Sequence, residues 1–379
     1  MKIVCISASQ VPSNTANSIQ CMKAVQGIAR LGHEVTLIVP LAGEALPAGK
    51  DWEMLTRFYG VSTPFKIEWL PSPVRRLFFL MAVRRARQLK PDVLYVWPLQ
   101  SAVLGLVFGL PTILEMHDLP SGRMGPFYFN LFGKLAGRKR ITVITKALKK
   151  ALEKRFGSVL PASDVVLSPN GVDLERFVDL PGPSKARRQL GLVDAPTVAC
   201  TGHLYAGRGV ELFLELARRL HDVRFLWAGG RPDDVALWQG KAMALGLDNV
   251  VFTGFVLNEQ LPLYQAAADI LLMPYGMDIA ISSGKGNSAR VSSPMKMFEY
   301  LATGRVIVTS NLPVFREVLG EKNAVFCTPD KATDWEGALR GLLDNPERRQ
   351  GLAKQARVDA QRYSWTERAR HILEGFPSV

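Results

Sequence analysis

Short apolar runs alternate along this chain with longer segments in which apolar residues recur at helical spacing. Alternation of this kind predicts parallel strands connected by helices, an α/β architecture. In the first half the runs predict strands at Lys2–Ile6, Glu34–Val39, Asp92–Trp97, Thr112–Met116, Ile141–Thr145 and Asp164–Leu167. In the second half they predict strands at Thr197–Thr201, Val223–Ala228, Val250–Thr253, Asp269–Met273, Val306–Thr309 and Ala324–Cys327.

A proline- and glycine-rich break at 180–184 separates the two series of strands and is typical of a linker between domains. We therefore predict two doubly wound, Rossmann-like domains over 1–180 and 184–362, which face each other across a cleft. Ligands of such sheets bind at the carboxyl ends of the strands. The last helical stretch, within 363–379, is predicted to pack back on the first domain.

The bulk composition is that of a globular protein, with 379 residues, 47% apolar and 21% charged. The amino terminus reads as a strand rather than a signal peptide. The longest apolar stretch, 102–110, is interrupted by Pro111, so we expect no transmembrane helix. The cysteines have no metal-binding or redox spacing, and we expect buried free thiols in a reducing cytoplasm: Cys5, Cys21, Cys200 and Cys327.

Positive charge is concentrated in the first half of the chain. Residues 1–180 carry 23 Lys and Arg against 13 Asp and Glu, and residues 181–379 carry 24 against 21. Within 73–155 there are 16 basic and 4 acidic residues, interleaved with apolar ones. This pattern favours an anionic membrane surface over nucleic acid as a partner. The alternative is that these residues are ordinary solvated faces of core-packing helices.

The stretch Ser293–Gly304, SPMKMFEYLATG, predicts a short helix with Pro294 in its first turn and Gly304 just past its end. Ser292 or Ser293 could cap its amino terminus. The glycine- and serine-rich segment 282–288, which precedes it, is predicted to be a mobile loop.

Lys296 and Glu299 lie three residues apart on this predicted helix and share a face. A lysine in the first turn, beside the positive end of the helix dipole, suits an anion such as phosphate. A carboxylate one turn further on can accept hydrogen bonds from sugar hydroxyls. The pair therefore indicates a nucleotide-sugar site.

A second candidate segment lies at the end of the strand that begins with Thr197. Gly202, His203 and Arg208 precede a helix there, and Arg208 is placed to bind a pyrophosphate bidentately. The segment lacks the Walker A pattern GxxxxGK[ST]. A single glycine-rich turn of this kind is weak evidence for a function.

Three further strand ends carry loop signals. Gly229 and Gly230 would permit close approach of a ligand, and the backbone of Thr253–Val256 could contact a nucleotide base. Asn170 and Gly171 form a tight turn after the last strand of the first series. Each signal alone is more typical of structure than of function, and their occurrence in this order at strand ends makes them specific.

Together these segments make the chain resemble the GT-B glycosyltransferases, and among them the retaining family 4 enzymes. The resemblance covers essentially the whole chain. It is carried by the segments Asn170–Phe177, Gly202–Glu211, Gly229–Gly230, Phe252–Val256, Ser293–Gly304 and Gln361–Ala369.

The resemblance implies that the second domain binds the nucleotide sugar, with Arg208 as the diphosphate-binding cation and Glu299 as the contact to the ribose. His203 stands where the family usually has an arginine, so Lys296 is expected to supply the second phosphate contact instead. Val291 stands where the family has another glutamate, so Ser293 and Lys296 are expected to shape the sugar end. Because of these departures from the family pattern, the resemblance does not imply which donor sugar is used.

In the first domain, which by the resemblance binds the acceptor, His117 ends a strand where the family places a histidine beside the transferred sugar. Its expected role is to orient that sugar, and Glu115 could support the loop. Asn14, Asn17 and Asn170 are candidates for contacts near the acceptor. No Asp-x-Asp pair is present, and we expect neither a metal nor a cofactor, with catalysis resting on His117, Arg208 and Lys296.

The resulting prediction is a retaining glycosyltransferase that uses a nucleoside-diphosphate sugar in cell-surface polysaccharide or glycolipid synthesis. The acceptor would be a saccharide or a lipid-linked saccharide, and the enzyme would be cytoplasmic or peripheral at the inner face of the membrane. An epimerase of nucleotide sugars on the same fold is the alternative. A nucleic-acid-binding protein is disfavoured, since the chain has no recognition-helix or base-stacking motif.

Overall fold

The computed structural model of the protein describes residues 1–41, 52–71, 75–278 and 290–376. The chain divides into two compact units. The first contains Met1–Asn170 together with Trp365–Val379, and the second contains Gly171–Ser364.

The described part of the first unit contains a parallel sheet. Its strands are β1 (Lys2–Ile6), β2 (Glu34–Pro40), β3 (Lys66–Leu70), β4 (Val93–Val96), β5 (Thr112–Met116), β6 (Lys139–Val143) and β7 (Val165–Leu167). They lie in the order β3-β2-β1-β4-β5-β6-β7. Its helices are α1 (Ala16–Ala29), α2 (Trp52–Tyr59), α3 (Arg75–Gln88), α4 (Leu99–Val107), α5 (Gly125–Lys134) and α6 (Lys146–Phe156).

The central strands of this sheet are buried on both faces, as expected when helices cover a parallel sheet. All four residues of β4 and all five of β5 are buried. In the register, Ile3 of β1 lies beside Val35 of β2 on one side and Val93 of β4 on the other. The carboxyl ends of β1, β4 and β5 therefore lie next to one another at one edge of the sheet.

Strand β3 was not predicted from the sequence. Its sequence, KIEWL, alternates charged and apolar residues, and the strand lies at the edge of the sheet, paired only with β2 in the described chain. Glu68 on this strand forms ion pairs with Lys66 and Arg85. A half-exposed edge strand does not show the continuous apolar run by which the buried strands were recognised.

Strand β6 begins and ends two residues earlier than predicted. Thr145, which we assigned to the strand, instead caps α6, because its Oγ1 accepts a hydrogen bond from the backbone N–H of Leu148 over 3.0 Å. A threonine at a helix amino terminus satisfies one of the N–H groups that lack a partner within the helix.

The second unit contains a parallel sheet with strands β8 (Thr197–Thr201), β9 (Arg224–Ala228), β10 (Val250–Phe252), β11 (Ile270–Met273), β12 (Val306–Ser310) and β13 (Ala324–Cys327). They lie in the order β10-β9-β8-β11-β12-β13. Its helices are α7 (Pro183–Gln189), α8 (Val210–Arg219), α9 (Pro232–Ala244), α10 (Leu261–Ala266), α11 (Met295–Thr303), α12 (Ala332–Leu343) and α13 (Pro346–Ala360).

The division between the units falls between Asn170 and Gly171, ten residues before the boundary expected at 180. Residues 171–182 belong to the second unit because they are fastened to it. Arg176 donates to Oδ1 of Asn258 over 2.9 Å, and Phe177 is 2% exposed. The segment 180–184, which we predicted to be the linker, leads directly into α7 of the second unit.

The last helix, α14 (Trp365–Leu373), lies in the first unit and packs against α1. Gly27 of α1 allows this contact, since a Cβ at that position would lie 2.4 Å from the carbonyl oxygen of Trp365. Ile372 and Phe376 join the apolar core beneath α1. The carboxyl-terminal residues are thus part of the first unit's fold.

Candidate functional site

Lys296 lies in the first turn of α11, next to the end of β8. Its Nζ is 3.7 Å from Sγ of Cys200, which is the penultimate residue of β8. Gly202 follows this strand with a φ of +115°, and a Cβ on it would lie 3.5 Å from the same Nζ. The positive φ favours glycine at this position, whereas a Cβ at that distance from the lysine would be in ordinary van der Waals contact.

The amino terminus of α11 differs from the prediction. Pro294 is the N-cap residue, and the cap forms no side-chain hydrogen bond. The hydroxyl of Ser292 is buried without a partner among the described residues. The predicted serine cap is therefore wrong, since the chain enters the helix through Pro294. Ser293 is 6% exposed and lies directly before it.

Arg208 and Lys296 meet at the ring of Tyr275, which follows β11. The Nη1 atom of Arg208 donates to the Tyr275 hydroxyl over 2.7 Å, and its Cζ lies 5.0 Å from the ring centroid. Lys296 Nζ lies 5.2 Å from the same centroid. Tyr275 itself is 1% exposed. We call Arg208, Lys296 and Tyr275 the cation cluster.

The cation cluster has no carboxylate partner among the described residues, where neither Arg208 nor Lys296 forms an ion pair. The contacts of these cations are instead a phenol, a thiol and aromatic faces, including the ring of Trp227 at 5.9 Å from Lys296 Nζ. Burial raises the pKa of the Cys200 thiol, although Lys296 opposes the shift, so the thiol beside the lysine is neutral. Two neighbouring cations that lack a carboxylate partner among the described residues suit an anionic ligand.

The glycines that end β9 are explained by contacts within the protein. A Cβ on Gly229 would lie 2.6 Å from the carbonyl oxygen of Gly202, and one on Gly230 would lie 2.7 Å from Cδ1 of Leu204. We had predicted them as points of close approach for a ligand. Their observed effect is to let the loop after β8 pack against the end of β9.

His203 stacks on Tyr205, with ring centroids 4.9 Å apart and an interplanar angle of 13°. Arg231 also contacts Tyr205, with its Cζ 5.3 Å from the ring centroid. His203 and Arg208 lie on the same loop, but they contact different aromatic side chains. Of the pair, Arg208 lies in the cation cluster.

Glu299 lies one turn after Lys296 and is 7% exposed. Its Oε2 accepts a hydrogen bond from Nε2 of Gln265 on α10 over 3.0 Å. The Gln265 side chain is held in turn by Thr303, whose hydroxyl donates to its Oε1 over 3.1 Å. The carboxylate is therefore positioned by a second helix.

Val256 is half-buried in the loop after β10. That loop is joined to the end of β9 by a bridge between Gly229 and Gly254. The segment 282–288, which we predicted to be a mobile loop, lies outside the described residues.

In the first unit, His117 follows β5 directly. Its Nε2 lies 2.6 Å from Oε1 of Glu115, which is inside that strand. Nε2 of Gln20 on α1 donates to the same oxygen over 2.6 Å, and Nε1 of Trp97 donates to Oε1 of Gln20 over 3.1 Å. The end of β5 is thus tied to α1 and to the residue that follows β4.

The predicted acceptor residues occupy different positions in the first unit. Asn17 is exposed in the first turn of α1, and Asn14 is half-buried in the loop before it. This loop is held by β3, because Nε1 of Trp69 donates to the carbonyl oxygen of Val11 over 2.7 Å. Asn170 is 7% exposed and is the last residue before the division between the units.

Among the residues that contact the predicted site residues, Tyr275 and Arg368 were missed. Tyr275 follows the end of β11, and its position after a strand end was the signal that could have revealed it. Arg368 on α14 forms a buried ion pair with Glu115 over 2.7 Å. A single arginine on an amphipathic helix carries no sequence signal for such a pair.

Among the described residues, no cluster of three or more histidine, cysteine, aspartate or glutamate side chains could hold a metal ion. No described helix combines the length and apolar character required to span a bilayer.

Two family models match the chain. One, described as Glycosyltransferase Family 4, matches residues 20–176, and the other, Glycosyl transferases group 1, matches residues 195–345. Together with the two parallel sheets, these matches define a glycosyltransferase enzyme of the GT-B fold. The chain belongs to the group 1, family 4-like glycosyltransferases.

Two relatives come from Mycolicibacterium smegmatis. The chain is 32% identical over 140 residues to a GDP-mannose-dependent alpha-(1-6)-phosphatidylinositol monomannoside mannosyltransferase, covering 35% of this chain and only 36% of the relative. It is 22% identical over 401 aligned positions to a phosphatidyl-myo-inositol mannosyltransferase, covering 100% of this chain and 93% of the relative.

A similar fold is found in the crystal structure of Anabaena HepE in complex with UDP and glucose. The TM-score is 0.76 at 18% identity, and all of both chains is covered. At this identity the similarity concerns the fold alone.

Proposed function

We propose that the enzyme transfers a sugar from a nucleoside-diphosphate sugar to an acceptor hydroxyl, with retention of anomeric configuration and without a metal. The observation that carries this proposal is the cation cluster, in which Arg208 and Lys296 both contact Tyr275 and have no carboxylate partner among the described residues. A diphosphate leaving group supplies the anion that these side chains lack.

In the proposed reaction, the acceptor oxygen forms a bond to the anomeric carbon while the bond from that carbon to the diphosphate oxygen breaks. The acceptor proton passes to the departing diphosphate, so the products are a glycoside and a nucleoside diphosphate. Negative charge grows on the leaving group in the transition state, where Arg208, Lys296 and the amino terminus of α11 can stabilise it.

The other predicted site residues take roles that follow the family resemblance. Glu299, held by Gln265, is proposed to accept hydrogen bonds from the ribose. Ser293 is proposed to contact the sugar end of the donor, and Val256 the base through its backbone. His117 is proposed to orient the transferred sugar.

The acceptor is proposed to be a saccharide, free or linked to a lipid, and the enzyme to act at the cytoplasmic face of a membrane. Support comes from the excess of basic residues over 73–155. Apolar side chains exposed on or next to the helices of this region add to it, namely Leu77, Val107, Met124 and Phe127. Basic residues contribute about 1 kcal/mol each near an anionic membrane.

Thermal-shift measurements with UDP-, GDP- and ADP-sugars test the donor, because a ligand at about a hundred times its dissociation constant stabilises by about 2.7 kcal/mol. Transfer is then measured with the donor that binds, and the anomeric configuration of the product is read by NMR. We expect Lys296→Ala to show a smaller thermal shift than the wild type. Arg218→Ala, which removes an exposed arginine paired with Glu215, serves as the matched control.

Retention of configuration in the product would support the proposal, and inversion would contradict it. Conversion of the donor in the absence of any acceptor, to an epimer rather than to free sugar, would favour the alternative of an epimerase. If no nucleoside-diphosphate sugar stabilised the protein, the assignment of the cation cluster to the donor would be wrong.

A further inference from the structure

Glu115 is a carboxylate inside a fully buried strand. All residues of β5 are buried, and the Glu115 side chain is 0% exposed. A buried charge is costly unless it is paired and hydrogen-bonded. The surroundings of Glu115 must therefore compensate for its burial.

Four side chains donate to this carboxylate. Oε1 accepts from Nε2 of Gln20 and Nε2 of His117, each over 2.6 Å, and from Nη2 of Arg368 over 2.7 Å. Oε2 accepts from the hydroxyl of Tyr95 and from Nη1 of Arg368 over 3.3 Å. Both oxygens are thus occupied by donors from α1, β4, the end of β5 and α14.

These contacts keep Glu115 ionised. Burial alone would raise the pKa of its carboxyl, but the charge of Arg368 and the hydrogen bonds of His117 and Tyr95 outweigh it and lower the pKa below the ordinary range. An ionised carboxylate can only accept hydrogen bonds. The proton between Glu115 and His117 therefore resides on Nε2 of the imidazole.

Arg368 is held at this position by a backbone carbonyl as well as by Glu115. Its side chain is 4% exposed, and its Nε donates to the carbonyl oxygen of Pro169 over 2.8 Å. The other end of α14 is fastened separately, because Arg140 donates to the carbonyl oxygens of Ile372 and Glu374 over 2.8 and 2.6 Å. The carboxyl-terminal helix thus brings a fixed positive charge to the strand that precedes His117.

We propose that Glu115, held by Arg368, is a positioning residue that keeps His117 in the tautomer with hydrogen on Nε2 and presents Nδ1 to the substrate. The His117 side chain is 26% exposed, and Nδ1 has no partner among the described residues. A neutral imidazole in this tautomer offers Nδ1 as a hydrogen-bond acceptor. The ligand group it suits is a hydroxyl of the saccharide substrate.

This inference rests on the proposed function for the nature of the substrate, but its geometry does not. An imidazole N–H in a short hydrogen bond to a buried carboxylate exchanges slowly with water and resonates downfield in the proton NMR spectrum. We expect one such resonance in the ligand-free wild type. His117→Gln identifies it by its loss among the 5 histidines of the chain.

The test variant is Glu115→Leu combined with Arg368→Met, which removes the acceptor and the buried guanidinium together and so leaves no unpaired buried charge. We expect the downfield resonance to disappear and kcat to fall on the order of tenfold to a hundredfold, since a freely rotating imidazole is misplaced. The KM for the donor should stay unchanged, because the cation cluster is untouched.

The matched control is Arg140→Gln, which loosens the far end of α14 without contacting Glu115. It should lower stability yet retain the resonance and the wild-type kcat. Absence of the resonance in the wild type, its persistence in the double variant, or an unchanged kcat in the double variant would each overturn the inference. If the wild type showed the resonance but transferred no sugar, the proposed function would fail while the assigned tautomer would stand.

Discussion

In the first unit Glu115 and Arg368 are both buried and neutralise each other, whereas in the second unit Arg208 and Lys296 are two cations that share contacts with Tyr275. The first arrangement satisfies its charges with protein groups from four elements. The second uses neutral and aromatic groups only, among the described residues. The network around Glu115 is complete in the protein alone, whereas the cation cluster would be stabilised further by a bound anion.

The difference also concerns what each network does to the fold. Removing one partner of the Glu115–Arg368 pair leaves an unpaired charge in the core, which lowers the free energy of unfolding. Removing one cation from the cation cluster takes away one of two like charges without a carboxylate partner among the described residues. Such a change should weaken ligand binding. Mutations in the two networks should therefore separate stability from affinity.

The largest effect is expected from Glu115→Ala, which strands Arg368 without its buried partner. Such a loss costs about 3–5 kcal/mol in the free energy of unfolding. Glu299→Ala, the matched change in the second unit, removes a hydrogen bond to Gln265 and should cost only about 1–3 kcal/mol. Urea unfolding followed by circular dichroism compares the two variants. Equal losses would remove the contrast between the units.

A smaller effect is expected from Tyr275→Phe. The change deletes the hydroxyl that accepts from Arg208 but keeps the aromatic ring beneath both cations. Arg208 then loses its fixed orientation, and we expect the dissociation constant for the diphosphate to rise about tenfold, or about 1.4 kcal/mol. Titration calorimetry measures this change. Tyr264→Phe on α10 is the control, and an equal effect of both variants would argue against a role for Tyr275 in holding Arg208.

The smallest effect is expected at the partly exposed pair between Glu68 and Arg85. Hydrogen bonds from Arg85 lower the pKa of Glu68 to about 2, so the pair contributes stability above the ordinary carboxyl pKa of about 4.3. That contribution is lost as the pH falls toward about 2. Arg85→Gln should cost about 0.5–1 kcal/mol at neutral pH.

The pH dependence of this difference is measured by comparing the unfolding of Arg85→Gln and the wild type between pH 7 and pH 3. The two proteins should converge as the pH falls. A difference that grew toward acid would show that the pair does not stabilise the fold through an ionised Glu68.

Much of the fold was predictable because parallel strands that are buried on both faces appear as continuous apolar runs. Strands β1, β5, β8 and β13 were predicted with the bounds that the structure gives. Strand β3 was missed because the charged residues Lys66 and Glu68 interrupt its apolar run at a sheet edge. The division between the units was displaced because hydrogen bonds of Arg176, invisible in the sequence, attach 171–182 to the second unit.

The candidate site was predictable where a charged residue has a recognisable local position, in the loop after a strand or in the first turn of a helix. Arg208 and Lys296 met this condition, and the structure brings them to one ring. Tyr275 follows a strand end but was missed, and Arg368 has no such position; their contacts join segments that are 67 and 253 residues apart in the chain. Tertiary contacts of this kind have no local signature. The roles of these residues in binding and catalysis stay predictions.

The central claim is that Arg208 and Lys296 bind the diphosphate of the donor. Titration calorimetry with UDP, GDP and ADP, against the wild type, Arg208→Ala, Lys296→Ala and the control Arg218→Ala, tests it most directly. The account predicts that one nucleoside diphosphate binds the wild type and the control equally, and that each single variant weakens binding about tenfold to a hundredfold, about 1.4–2.8 kcal/mol. Undiminished binding to both folded variants would contradict it.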